Sequence, residues 1–325
     1  MGRREFSKYF GASMLAASAV TVARGTEPPK AKTPTAASKT EKKQFKMLAE
    51  VISIPTKAEP LSGLFYVPNG KVIATALIFH GNCANFYTGP SRFLPEVLVP
   101  RGIACLTFNR RGHDIVANLP GKKSGGACFQ LASEGIADNR TAADWLAARG
   151  FKNPFVIGHS NGGMLAAQHC ADNYGNPRGL VLMSAHGGGP KMAQHSNEAG
   201  LFAQDKQDEL FAKAKALVAK GKGRELMLMP GWWFVISAES FLDRCLNTPD
   251  TVANATKIRC PSIYFRGDKE IVQNYPAEAF AANAVAPCDV RIIPNCDHWY
   301  KGHENDVAMQ VADWLEAHCE IPVKA

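Results

Sequence analysis

Neither a Cys-x-x-Cys pair nor a His-Glu-x-x-His run occurs in the 325 residues, and no other spacing of the nine histidines and nine cysteines resembles a ligand set. The sequence therefore calls for no metal and no other cofactor. No internal repeat is evident, which leaves no sign of a repeat architecture. A basic surplus is missing too, once the N-terminus is set aside. The formal net charge is +8, yet residues 1–23 hold three basic groups against one acid and residues 24–46 seven against two. Residues 47–325 keep 27 basic and 26 acidic groups, so the body of the chain is nearly neutral and gives no case for a nucleic-acid partner. A long apolar run is also absent. The stretch from Tyr9 to Ala23 is too short and too alanine-rich for a comfortable membrane span. No cysteine lies beside it to carry a lipid, so no stable membrane anchor is expected.

What is present at the N-terminus reads as an export signal. Met1-Gly2-Arg3-Arg4-Glu5-Phe6-Ser7-Lys8 resembles the twin-arginine consensus at both arginines, Phe6 and Lys8, and departs from it at Gly2 and Ser7. Ala17-Ser18-Ala19 and Thr21-Val22-Ala23 are possible cleavage sites. Residues 1–23 are thus expected to be a signal peptide and residues 24–45 a disordered linker, rich in Pro, Thr, Ala and Lys. The expected partner of that signal is the twin-arginine export machinery, and the expected location is periplasmic or secreted. Such a compartment permits disulfides. Cys83 and Cys128, both on expected loops, are the candidate bridge, and the other cysteines read as small buried hydrophobes.

The whole chain's 46% hydrophobic and 20% charged make-up is that of a soluble globular protein with a sizeable core, expected over residues 46–320. Short apolar runs predict strands over 46–53, 61–67, 73–79, 103–108, 154–158, 179–184, 261–266 and 289–293. Helical patterns fall at 91–99, 133–149, 161–173, 276–285 and 304–318, with Ser133 as the expected N-cap of the second. Two leading strands followed by strand–helix alternation predict an α/β fold, a mostly parallel eight-stranded sheet flanked by helices.

The alternation breaks after residue 184 for longer than an ordinary connection needs. Within the gap, Leu210, Phe211, Ala214, Leu217 and Val218 fall on one helical face, and a second short helix should run from Ser237 to about Leu246. Residues of about 187–257 are expected to form a helical lid insertion. Trp232, Trp233 and Phe234 lie between its helices, either as the lining of an apolar substrate pocket or as anchors of the lid.

The chemistry is concentrated in Gly158-His159-Ser160-Asn161-Gly162, which follows the apolar run Pro154-Phe155-Val156-Ile157 and precedes a helical stretch. Strand, sharp turn with serine at its apex, then helix is the pattern of a nucleophile elbow, where side chains at Gly158 and Gly162 would collide. A serine hydroxyl needs a base in reach and an acid to orient that base. His298 sits just past the last expected strand and is the candidate base; His303 is its nearest rival, and His113, His169, His186, His195 and His318 read as surface or loop residues. After strand 261–266 comes Gly267-Asp268-Lys269-Glu270, which offers Glu270 as the acid and Asp268 as the alternative. The amides of Asn161 and of Asn82, in His80-Gly81-Asn82, are the candidate oxyanion donors.

With His80-Gly81-Asn82, Asn109-Arg110-Arg111-Gly112-His113, Gly158–Gly162, Gly267–Glu270 and Asp297-His298 in this order, the chain resembles an α/β-hydrolase-fold serine hydrolase over about residues 46–320. The resemblance implies the fold and a triad of Ser160, Glu270 (or Asp268) and His298, with the arginine turn structural. It does not imply a substrate. The expected activity is cleavage of a small-molecule carboxylic ester through an acyl-enzyme. A peptidase or amidase with the same triad, and an inactive binding protein on the same fold, are the competing readings.

Overall fold

The computed structural model describes residues 47–119, 123–231 and 235–319. The expected signal peptide and linker, and with them Trp232, Trp233 and Phe234, lie outside the described residues. Among those described, no helix is long and apolar enough to cross a membrane.

The chain opens with the antiparallel strands β1 (Glu50–Ile54) and β2 (Leu61–Tyr66), then β3 (Ala74–Phe79), α1 (Pro90–Leu98) and β4 (Ile103–Phe108). A short hairpin of β5 (Ala117–Leu119) and β6 (Lys123–Gly125) precedes α2 (Ala132–Ala148), β7 (Phe155–His159), α3 (Asn161–Ala171) and β8 (Gly179–Met183). An insert carries α4 (Met192–Glu198), α5 (Gln207–Ala219), the hairpin β9 (Leu226–Leu228) with β10 (Val235–Ser237), α6 (Ala238–Leu246) and α7 (Thr251–Ala255). The body resumes with β11 (Ser262–Gly267), α8 (Ala277–Asn283), β12 (Cys288–Ile293) and α9 (Glu304–Cys319).

Eight strands form one sheet in the order β1-β2-β4-β3-β7-β8-β11-β12, parallel from β4 onward. The run of apolar residues in β4, β7 and β8 follows from burial on both faces: every residue of these strands is buried. Side chains alternate between the faces. Leu77, Phe79, Val156, Leu180 and Leu182 join one core beneath α2, α3 and α8, while Ile78, Ile157, Val181 and Met183 join the other beneath α1 and α9. Register aligns Phe79 with Gly158, His159 with Met183 and Gly267 with Ile293, so the residues that follow β3, β7, β8, β11 and β12 emerge side by side at one edge of the sheet. In an open parallel sheet that edge is where ligands bind.

Three expectations need correction. Ser133 does not cap α2: the helix begins one residue earlier, at Ala132, after Leu131. Its free amides are satisfied from elsewhere, Leu131 N–H donating to Glu134 (3.1 Å) and Ala132 N–H to Asp243 on α6 (2.6 Å). A tertiary carboxylate has replaced the local hydroxyl. Cys83 and Cys128 are not bridged, and all nine cysteines are free thiols. Burial pushes the Cys83 thiol up to about 12, so it stays protonated at neutral pH. His169 is not on the surface but buried in α3 beneath Phe79 and Tyr174.

The Asn109–His113 turn has a bracing role. Arg111 grips the buried Asp138 of α2 through its Nη2 (2.6 Å) and its backbone N–H (2.9 Å). Arg110 donates to the His80 carbonyl (2.6 Å), and Asn109 accepts from Phe86 N–H (2.9 Å). The loop after β3 is thereby fastened to the loop after β4.

The insert has its own apolar cluster, in which Phe202 and Phe241 stack at 5.0 Å with Leu210, Ala214, Met227 and Ile236 around them. Of the expected face on α5, Leu210 and Ala214 are buried, and Val218 is exposed. α6 begins as the sequence predicts, with Ser237 Oγ accepting from Ser240 N–H at 3.2 Å.

Candidate active site

Ser160 stands between β7 and α3 with φ 56° and ψ −122°, a conformation that L residues rarely adopt. Its surroundings enforce it. A Cβ at Gly158 would run into the Gly162 carbonyl, one at Gly162 into the carbonyls of Phe79 and His80, and one at Gly163 into Ala185. Because backbone on both sides blocks relief, Gly162→Ala is expected to destabilise the protein by about 3 kcal/mol. A chemical-denaturation midpoint equal to that of the wild type would refute this account of the turn.

Glu270 and His298 meet from the loops after β11 and β12. Glu270 Oε1 lies 2.6 Å from His298 Nδ1, and the Glu270 side chain is 2% exposed. Its other oxygen accepts from Ser184 Oγ (2.6 Å) and from Gly267 N–H (2.7 Å). Ser184 in turn bonds Tyr300 Oη at 2.8 Å. The carboxylate is thus fixed at both ends. An ionised carboxylate only accepts, so Nδ1 of the neutral ring carries the proton and Nε2 presents a lone pair. Asp268 is exposed and faces elsewhere, accepting from Cys296 N–H at 3.2 Å.

Ser160, His298, Asn82 and Asn161 all line one cavity of about 250 Å³. Among the described residues, neither the Asn82 nor the Asn161 backbone N–H has an acceptor, and no hydrogen bond yet joins the Ser160 hydroxyl to the His298 ring. The insert forms much of the remaining wall: Met192, Phe202, Arg244 and Thr248 all come from it. His303, the rival base, does not line this cavity. No group of three or more His, Cys, Asp or Glu residues able to hold a metal occurs among the described residues.

A model of the alpha/beta hydrolase family matches residues 76–307, a span that contains the elbow, Glu270 and His298. The chain belongs to the alpha/beta hydrolase family. Among curated proteins no sequence matches it. Solved structures share the fold at low identity. Est1E from Butyrivibrio proteoclasticus superposes with a TM-score of 0.62 at 17% identity, over 82% of this chain and 98% of the other. A soluble variant of monoglyceride lipase from Saccharomyces cerevisiae gives 0.62 at 15%, over 85% and 97%. A carboxyl esterase from Bacillus coagulans gives 0.61 at 13%, over 84% and 100%.

Two further histidines lie at the site of this family member, neither of them singled out by the sequence. His159, the residue before the elbow serine, is buried with its ring centroid 4.7 Å from that of His298, and its Nε2–H donates to the His298 carbonyl (2.9 Å). His186, read as a surface or loop residue, lines the cavity and accepts from Gly188 N–H through Nδ1 (3.0 Å). The only sequence signal for His159 was its place inside the pentapeptide; for His186 it was its position three residues beyond β8.

Burial lowers the His159 ring to about 3 and the His186 ring to about 4. Below an ordinary value near 6.5 the unfolded chain therefore takes up protons that the folded chain refuses, so stability present above pH 6.5 is lost as pH falls. His159→Gln keeps an N–H donor but removes the titration. It should lose about 2 kcal/mol less stability than the wild type between pH 7 and pH 5. Thermal midpoints at the two pH values check this, and parallel declines would count against it.

Proposed function

We propose that the protein is a serine hydrolase that cleaves small carboxylic esters through an acyl-enzyme. The observation that carries this reading is the Glu270–His298 contact of 2.6 Å, opening on the same cavity as a serine held on a strained turn. His298 Nε2 takes the Ser160 proton as Ser160 Oγ attacks the ester carbonyl. Glu270 holds the tautomer and balances the charge that forms on the ring. The contact between Ser160 and His298 closes when substrate is bound, a tightening common to such sites.

The Asn82 and Asn161 N–H groups receive the oxyanion. Both are otherwise unengaged among the described residues, and donors already oriented toward the developing charge need no reorganisation. His298 then protonates the departing alcohol, and water repeats the sequence to release the acid. Ester cleavage is supported by the fold's neighbours, since the monoglyceride lipase and the carboxyl esterase are both ester hydrolases by name.

A fluorophosphonate probe tests the proposal. Mass spectrometry of the intact protein should show one adduct, and peptide mapping should place it on Ser160. A folded protein that remains unlabelled would end this reading.

A further inference from the structure

His186 and Ser196 meet in the cavity wall and belong neither to the triad nor to the oxyanion pair. His186 is pinned close to the nucleophile. Its backbone N–H donates to the Ser160 carbonyl (3.0 Å), and its own carbonyl accepts from Thr251 Oγ1 (2.7 Å). The Tyr275 ring packs edge-on against the imidazole, with centroids 6.0 Å apart. Nδ1 accepts from Gly188 N–H at 3.0 Å, which puts the proton of the neutral ring on Nε2. Among the described residues, the hydrogen-bond partner of that Nε2–H is Ser196 Oγ, 3.5 Å away and at the outer limit of a hydrogen bond. Ser196 comes from α4 of the insert and is buried. Its hydroxyl gives its proton to Met192 Sδ (3.7 Å), a weak acceptor, and keeps its lone pairs.

Around the pair the wall is apolar, formed by Met164, Met192, Leu201 and Phe202, where a polar group with only a distant partner costs stability. A ligand group that satisfies both must accept from His186 Nε2–H and donate to Ser196 Oγ. A hydroxyl does both, whereas a carbonyl or an ether only accepts and an ammonium only donates. An ionised carboxylate has no donor either, and Arg244 is no spare cation for it. That guanidinium donates to Asn82, has a further interaction, and lies beside the charge of Asp243. We infer that the substrate of this cavity is a hydroxylated ester, whose free hydroxyl is held between His186 Nε2 and Ser196 Oγ. This rests on Ser160 hydrolysing esters in the same cavity. The volume of about 250 Å³ and the bond from His186 to the Ser160 backbone put the hydroxyl and the scissile carbonyl in one short molecule. One half of the recognition comes from the body of the fold and the other from the insert.

The test compares esters in which a methyl group replaces the hydroxyl. In one pair the hydroxyl is on the acyl side, para-nitrophenyl 3-hydroxybutanoate against para-nitrophenyl 3-methylbutanoate. In the other it is on the alcohol side, 2-hydroxyethyl butyrate against propyl butyrate. The quantity read is the ratio of kcat/KM for the hydroxylated ester to that for its methyl partner. The wild type should favour the hydroxylated ester about tenfold or more in at least one pair, because a methyl leaves Nε2–H unsatisfied. His186→Phe cannot donate and should bring that ratio close to one. His186→Gln also loses the Gly188 bond but keeps an N–H donor, and its ratio should stay above that of His186→Phe. Ser196→Ala should lower the ratio several-fold.

Labelling of Ser160 by the fluorophosphonate in each variant shows that the site is still folded. Should His186→Phe not be labelled, Ser196→Ala, which removes a single oxygen, decides alone. If labelled wild type prefers the methyl ester in both pairs, or makes no distinction, the inference is wrong. It is equally wrong if a labelled His186→Phe or Ser196→Ala leaves the ratio unchanged, however much it slows both members of a pair, which would make that residue only part of the fold. A wild type that is neither labelled nor active on any of the four esters removes the hydrolase reading itself, and this inference with it. That result is distinct from a labelled enzyme with the wrong preference.

Discussion

Ser160→Ala is expected to lower kcat for a para-nitrophenyl ester by at least about four powers of ten, and His298→Ala by a similar factor. The two should not add. A hydroxyl without its base is a poor nucleophile, and a base without its hydroxyl has nothing to activate, so the double variant should be little slower than either single one. KM should move far less, because the cavity walls and the Asn82 and Asn161 amides remain. The two side chains also differ in burial, which gives a check on folding. Ser160 is buried but loses only one oxygen, and the larger His298 ring is 23% exposed, so neither truncation opens a large void. Thermal midpoints close to the wild type should therefore accompany the loss of rate. Retained hydrolysis in His298→Ala would show that the base lies elsewhere. His186, which lines the same cavity, would be the first residue to examine.

Glu270→Gln should cost about 10⁴-fold in kcat, whereas Asp268→Asn should cost less than about tenfold. The difference follows from what each carboxylate touches. Glu270 accepts from His298, from Ser184 and from the Gly267 amide, and its side chain is all but inaccessible. A glutamine there presents an amide N–H to the ring or to Ser184, and either choice spoils one partner. Facing the ring, it stabilises the tautomer whose Nε2 carries the proton and is useless as a base. Asp268 touches the Cys296 amide in an exposed loop, and asparagine can still accept that bond. Steady-state kcat for the two variants at pH 8 decides between them. Equal damage would mean that the Asp268–Cys296 contact holds the His298 loop in place as firmly as Glu270 holds the ring.

The sheet and the placement of the site were legible because they rest on local rules. Apolar runs such as Leu77-Ile78-Phe79 and Gly179–Met183, short and bounded by turn residues, read as buried strands, and Gly158 is demanded by the Gly162 carbonyl four residues away, whereas Gly162 answers to the carbonyls of Phe79 and His80 at the end of β3. The Gly267–Glu270 loop was legible as far as its two acids. Which one faces His298 depends on where Ser184 and the Gly267 amide sit in space. The errors lie where a distant residue takes over a local duty. Asp243, from the far side of the insert, satisfies the start of α2, so Ser133 has no capping to do. Arg244 looks in sequence like any arginine of an amphipathic helix, and only the return of α6 across the cavity reveals it. The hairpin β9–β10, with Leu226 and Leu228 exposed, has only three residues in each strand and is too short to announce itself.

The insert departs after β8, and β8 lies in the sheet between β7 and β11. Of these neighbouring strands and β12, it alone is followed by none of Ser160, Glu270 and His298. Its own contribution to them, Ser184, comes before the chain leaves the body. Residues 187–257 can therefore lengthen, shorten or exchange side chains while the three reacting groups keep their mutual distances. On the proposed function, the catalytic groups come from the strand ends, while much of the cavity wall comes from the insert. An exchange of that segment between two members of the family should carry preference with it and leave the hydrolytic machinery behind.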